Sequence, residues 1–209
     1  MEQITLSSGR PLDPSVEHRV LECLEGGGLV ILPTETVYGL SVDPYDSPSV
    51  ERLFRIKQRP RGLPMAIAVH DLASLDGIAE VGPTARRLAD RFLPGPLTLV
   101  VPRGERAPPP PVAGPRSISF RIPDHPVLQQ ITATFGPLAL TSANRHGHRS
   151  PTTLTEALSS LGDEVDLAVD AGPCRWGVES TVVDLTEDTP RIIREGAIGR
   201  TSLEPYVDR

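Results

Sequence analysis

The sequence predicts a mixed α/β fold in a single domain, and three observations carry that expectation. Short apolar runs of strand length alternate with stretches whose apolar residues recur at helical spacing. Proline or glycine punctuates the changes from one to the other. The chain is 209 residues long, the size of one domain and enough to bury a core, and it shows neither an internal repeat nor a linker.

Asp13 followed by Pro14 is an N-cap and first-turn pair, and Val16, Val20, Leu21 and Leu24 then follow a helical period until Gly26, Gly27 and Gly28 end it. Residues 29–32 (LVIL) form a buried strand that runs into the polar turn Pro33-Thr34-Glu35-Thr36. Ser47 and Pro48 open a second helix with Val50, Leu53 and Phe54 on one side, ending at Pro60. Further strands are expected at 65–69, 97–101, 117–122, 137–141, 165–169 and 180–185, and further helices at 71–79, 84–92, 126–135 and 153–161. The run Ala107-Pro108-Pro109-Pro110-Pro111 fits neither a ladder nor a helix interior, which makes it a stiff, extended surface loop.

Composition removes several functional classes. A formal charge of −6 argues against general affinity for nucleic acid, which depends on lysine and arginine releasing counterions from phosphates. Basic residues are concentrated locally instead, with Arg52, Arg55, Lys57, Arg59 and Arg61 inside ten residues. Cys23 and Cys174 are far apart and lack CxxC spacing, so neither a disulfide framework nor a zinc site is indicated. The first twenty residues lack a basic start with an apolar run, and eighteen consecutive apolar residues occur nowhere, so the expectation is a cytoplasmic protein that neither crosses a membrane nor is secreted.

The glycines at 26–28 precede a strand, whereas a dinucleotide or Walker loop follows one, and the sequence has no GKS or GKT. His146 and His148 have an HxH spacing, but no carboxylate or cysteine adjoins them, so they are read as a surface loop and no protein metal site is expected.

Polar segments remain at the ends of the expected strands: PTETVYGL at 33–40, KQRPRGLP at 57–64, FRIP at 120–123, TSAN at 141–144 and ESTVVD at 179–184. Taken singly, Thr34, Thr36, Ser142 and Asn144 suit turns or caps, and Lys57 and Arg59 suit a solvated helix end. Taken together with Pro94-Gly95-Pro96-Leu97-Thr98, Ser150-Pro151-Thr152 and Ile193-Arg194-Glu195-Gly196, they resemble the YrdC-like family of threonylcarbamoyl-AMP synthases in order and spacing. The resemblance covers about residues 15–199 of a domain taken as 1–209.

That resemblance implies a twisted sheet of parallel and antiparallel strands with flanking helices and a concave, positively charged face. It implies an enzyme, a nucleotidyltransferase that joins L-threonine, bicarbonate or carbon dioxide and ATP into threonylcarbamoyl-AMP and pyrophosphate, for modification of tRNA. Lys57, Arg59, Ser142 and Asn144 would be the catalytic residues. ATP would be held by these four with Leu63, Ser117, Ser150 and Arg194, and threonine by Thr36, Arg121, Thr141 and Ser180. Mg2+ would come with ATP, bound by phosphate oxygens and water. The product is a mixed anhydride, so a separate tRNA threonylcarbamoyl transferase complex would consume it, and the basic cluster leaves room for weak RNA binding.

The chain ends soon after Arg194 and so resembles the short bacterial form of the family, without the extra C-terminal domain of longer relatives and without the fused partners of hydrogenase-maturation carbamoyltransferases. It departs from the family's pattern at Ser41, where a glycine is usual, at Leu93, where an aromatic is usual, and at Ala68, where a histidine often contacts threonine. His70, two residues along the same expected strand, would face the same way. Two alternatives stand beside the synthase: a related carbamoyl or nucleotidyl transferase with another acceptor, and a noncatalytic RNA-binding module.

Overall fold

A computed structural model describes residues 1–6 and 11–207. The chain runs β1 (Glu2–Thr5), α1 (Pro14–Glu25), β2 (Val30–Leu32), β3 (Gly39–Val42), α2 (Ser47–Lys57), β4 (Ala66–Ala68), α3 (Pro83–Phe92), β5 (Leu97–Pro102) and β6 (Ser117–Arg121). It continues through α4 (Pro126–Phe135), β7 (Leu138–Ser142), α5 (Leu154–Leu161), β8 (Leu167–Asp170), β9 (Thr181–Asp184), β10 (Arg191–Arg194) and α6 (Arg200–Val207). The ten strands among the described residues join one sheet in the order β1-β8-β2-β3-β7-β4-β6-β5-β9-β10. Parallel pairs (β1 with β8, β2 with β8, β4 with β6, β5 with β9) are mixed with antiparallel ones. The expected mixed α/β class is therefore the observed one.

The helix starts follow the sequence signals. Asp13 stands at the N-cap position of α1 and accepts through its backbone carbonyl from the amides of Val16 and Glu17, Pro14 lies in the first turn, and Gly26 and the left-handed Gly27 (φ 76°) end the helix. Thr153 caps α5 by accepting from the Glu156 amide, and the Glu156 carboxylate returns to the Thr152 amide, 2.7 Å.

Alternation along the strands sorts side chains onto two faces. On one face Ile31, Leu40, Leu99, Ile118, Phe120 and Val183 join the larger core with residues of α2, α3, α5 and α6. On the other, Val30, Leu32, Leu138, Leu167 and Val169 pack beneath Val20 and Leu24 of α1 and Leu128 and Ile131 of α4. Helices α1 and α4 cover only that end of the second face. Over β4, β6, β5 and β9 the same face carries Ser117, Ser119, Arg121 and Thr98, which line a cavity.

Some local expectations are corrected. Residues 71–79 form no α-helix; a single 3₁₀ turn at Ala73–Leu75 precedes Gly77, whose φ of +71° breaks the period. Strands β1, β3 and β10 and helix α6 were not expected. The proline-rich segment is less of a surface loop than its composition suggests: Ala107, Val112 and Ala113 are buried, and Arg103 donates to the carbonyls of Ala107 and Pro108. No helix among the described residues is long and apolar enough to cross a membrane.

Candidate active site

The cavity has a volume of about 600 Å³, within the range that takes a nucleotide-sized ligand. Its floor is the uncovered sheet face, and its cations come from four separate places: the end of α2, the turn after it, β6 and β10. Ten of the twelve residues singled out from the sequence line it: Thr36, Lys57, Arg59, Ser117, Arg121, Thr141, Ser142, Asn144, Ser180 and Arg194.

Lys57 is the last residue of α2 and is 1% exposed. Its ammonium donates to the carbonyls of Ser142 and Asn144, which ties the end of the helix to the end of β7. Burial first, and then the nearby Arg59 cation, lower its pKa from 10.5 to about 7. Gln58 then takes a left-handed conformation, φ 51°, which turns the chain so that Arg59 also reaches the cavity. Arg59 is held by the Leu63 carbonyl, 3.0 Å from Nε, and the Pro64 carbonyl, 2.8 Å from Nη2. Burial and the neighbouring Arg194 lower its pKa from the ordinary arginine value. Leu63 therefore acts through its backbone; it does not line the cavity, and its side chain is exposed.

Asn144 is 4% exposed and donates its amide to the carbonyls of Arg145 and His148, 3.1 and 2.7 Å, while Oδ1 has no partner among the described residues. Ser150 does not line the cavity either. It donates at 2.6 Å to Glu179, whose carboxylate does, and which also pairs with Arg194 at 3.1 Å.

Arg121 sits at the other end. Its Nε donates to the Gly95 carbonyl, 3.1 Å, and Nη1 to Thr36 Oγ1, 2.9 Å. Nη2 lies 2.6 Å from Glu35 Oε1, with both side chains buried. The Glu35 carboxylate has no aligned hydrogen-bond partner among the described residues, so the contact is an ion pair that cancels the Arg121 charge within the wall. Thr34 serves the turn, accepting from the amides of Thr36 and Val37 at 3.0 and 3.1 Å.

Arg194 is fixed from behind. Gly196 lies so close to the preceding loop that a Cβ there would stand 2.2 Å from the Glu179 carbonyl oxygen. Thr181 Oγ1 accepts from the amides of Gly196 and Ile198 and donates to the Ile198 carbonyl. The guanidinium is then directed at Ser180, with Nε and Nη2 on its carbonyl at 3.1 and 2.9 Å.

The departures from the family pattern fall differently. Ala68 is fully buried and does not line the cavity. Strand β4 ends at Ala68, and His70 faces the Gln129 carbonyl of α4 at 3.2 Å, so it does not stand in at the site. Ser41 is buried with its hydroxyl unpaired among the described residues. His146 and His148 lie on the cavity rim, and no group of three His, Cys, Asp or Glu side chains among the described residues could hold a metal ion.

Thr98, Ser119 and Glu179 are cavity residues for which the sequence alone assigned no role. The alternation Ser117-Ile118-Ser119-Phe120-Arg121 was the available signal for Ser119, as Leu97-Thr98-Leu99 was for Thr98.

A family profile, Sua5_yciO_yrdC, whose description is "Telomere recombination", matches residues 22–196. The chain belongs to the Sua5/YciO/YrdC family. Among its relatives, the threonylcarbamoyl-AMP synthase of Pyrococcus abyssi is 38% identical over 183 residues, covering 87% of this chain and 54% of that protein. A putative threonylcarbamoyl-AMP synthase of Mycobacterium tuberculosis is also 38% identical, covering 84% of this chain and 81% of the relative. The crystal structure of P. abyssi Sua5 complexed with L-threonine superimposes with a TM-score of 0.93 at 33% identity, covering 99% of this chain and 61% of that one. The chain thus spans little more than half of the Pyrococcus relative.

Proposed function

We propose that this chain is an L-threonylcarbamoyladenylate synthase, a nucleotidyltransferase that makes threonylcarbamoyl-AMP and pyrophosphate from L-threonine, bicarbonate or carbon dioxide, and ATP. The observation that carries the reading is the convergence of Lys57, Arg59 and Arg194 with Ser117, Ser142 and Asn144 on one cavity that also holds Thr36, Arg121, Thr141 and Ser180. The naming of the 38%-identical relatives agrees with it.

The amine of threonine adds to carbon dioxide and loses a proton, giving a carbamate. A carbamate oxygen then attacks the α-phosphorus of ATP, the bond from that phosphorus to its bridging oxygen breaks, and pyrophosphate leaves. An anion attacks an anion, so the barrier is lowered mainly by fixed positive charge and by alignment. Lys57, Arg59 and Arg194 meet phosphate oxygens, and the two arginines offer planar, paired donors. The hydroxyls of Ser117 and Ser142 orient those oxygens without adding charge, and Ser150, outside the cavity, acts through the Glu179 carboxylate that it holds beside Arg194. The unpaired Oδ1 of Asn144 accepts from a donor on the ligand. Mg2+ brought in with ATP would be held by phosphate oxygens and water and would supply further neutralisation of the triphosphate.

Thr36, Arg121, Thr141 and Ser180 bind threonine. With the Arg121 charge already cancelled by Glu35, its contribution to the carboxylate is directional hydrogen bonding rather than net charge. The product, a mixed anhydride, passes in the cytoplasm to a transferase complex that modifies tRNA.

Purified protein given ATP, L-threonine and bicarbonate should release pyrophosphate and yield threonylcarbamoyl-AMP by mass spectrometry. Pyrophosphate release that does not depend on threonine overturns the reading.

A further inference from the structure

Thr98 on β5 has been given no role so far. Its Oγ1 lies 2.8 Å from Ser180 Oγ. Both residues are 5% exposed, and both line the cavity. Arg194 Nη2 lies 3.1 Å from the same Ser180 oxygen, and since a guanidinium only donates, that contact occupies a Ser180 lone pair.

Proton counting then decides what the pair offers. Two hydroxyls own two protons, and they share one hydrogen bond. Neither hydroxyl has another acceptor among the described residues. Whichever way the shared bond runs, one buried hydroxyl proton is left without a partner, and leaving it so after a ligand has displaced water would cost its full desolvation. The arginine sets the direction: a cation donating to Ser180 makes that hydroxyl a better donor, so the polarised chain runs Arg194 to Ser180 to Thr98. The spare proton is then on Thr98.

The scaffold keeps this arrangement in place. Thr98 is paired with Val182 across the parallel β5–β9 ladder, and the close approach of Gly196 to Glu179 and Ser180 fixes the segment that carries Arg194.

We infer that Thr98 is a further amino-acid-binding residue, which donates its spare hydroxyl proton to an oxygen of the amino-acid substrate, while Ser180 donates to Thr98 and Arg194 sets that direction. The inference rests on the functional reading above, because it takes the amino acid to lie against Ser180. It also gives one physical link between the amino-acid end and the nucleotide end of the cavity, since Arg194 belongs to both.

The test is calorimetric titration of L-threonine, and separately of ATP, into wild-type protein, Thr98→Val and Thr98→Ser. Valine keeps the β-branched shape and loses the hydroxyl; serine keeps the hydroxyl. Thr98→Val should weaken L-threonine binding by about tenfold, the effect of one hydrogen bond, and leave ATP binding within about twofold. Thr98→Ser should restore L-threonine binding to within about threefold of wild type. Should Thr98→Val not fold, Thr98→Cys, a weak donor of similar size, should show the same selective weakening. Unchanged L-threonine binding in the hydroxyl-less variant, an equal loss of ATP binding, or failure of serine to rescue overturns the inference and leaves the function standing. Wild-type protein that binds ATP and not L-threonine overturns the functional reading, and the inference falls with it.

Discussion

One face of the sheet is covered over β1, β8 and β2 and bare over β4, β6, β5 and β9, and the side chains change character between the two regions. Under α1 and α4 the strands present Val30, Leu32, Leu167 and Val169, each nearly inaccessible. A few strands away on the same face they present Ser117, Ser119, Arg121 and Thr98. The backbone is the same kind of ladder in both. What differs is whether two helices lie on top, so the fold makes its binding cavity by withholding a layer rather than by adding a domain.

That contrast can be broken from either side. The largest expected effect is on the covered side: Ile131→Ala in α4, a fully buried core position, should destabilise the protein by about 2–5 kcal/mol in denaturant unfolding with little change in KM for either substrate. On the bare side Lys57→Met should lower kcat/KM by roughly 10² to 10³, of the order seen when one preorganised electrostatic contact is lost. Its effect on stability has the opposite sign. The folded-state pKa of Lys57, about 7 against an ordinary 10.5, means that folding disfavours the proton. Stability therefore rises with pH between about 7 and 10.5, and Lys57→Met should gain most over wild type at or below pH 7 and nothing near pH 10.5, read from melting curves across that range.

Gly196→Ala should act at a distance from the chemistry. A Cβ meeting the Glu179 carbonyl shifts the segment bearing Arg194, and the KM for ATP should rise about tenfold while the core melts near the wild-type temperature, as differential scanning calorimetry would read. The smallest effect is protonic. ATP binding above pH 7 should take up about one proton at Lys57, and its affinity should fall by at most about tenfold per pH unit. Titrations in buffers of different ionisation enthalpy would detect the uptake, and Lys57→Met should abolish it.

The two regions also differ in how far the sequence disclosed them. Helices α1 and α2 were readable from Asp13-Pro14 and Ser47-Pro48, because caps and first-turn prolines are local chemistry. The strand at β6 was readable from the alternation of Ile118 and Phe120 with polar neighbours. By contrast β1 and β10 are short edge strands whose pairing is set by distant partners, and β3 carries Gly39 and Ser41, so none of the three has a local strand signature. Helix α6 contains Pro205, which argues against a helix when taken alone. The 71–79 expectation failed because its apolar spacing was real and Gly77 overrode it. At the site, the cations were legible only through a family pattern. The ion pair of Arg121 with Glu35 and the contact of Thr98 with Ser180 join residues 86 and 82 positions apart along the chain (121 − 35 and 180 − 98), and no window of sequence contains them.

Arg194 lies on β10, the last strand of the sheet, paired on one side to β9 and followed by α6, whose Tyr206 meets Phe92 edge-on at 5.6 Å. Such an edge segment is held by few backbone hydrogen bonds, and parts of this kind open at lower free energy than the core. Warming should thus free β10 and α6 first, costing the protein its grip on nucleotide before it loses its shape. Thermal inactivation would then precede melting, and saturating ATP would bring the two temperatures together by closing the edge.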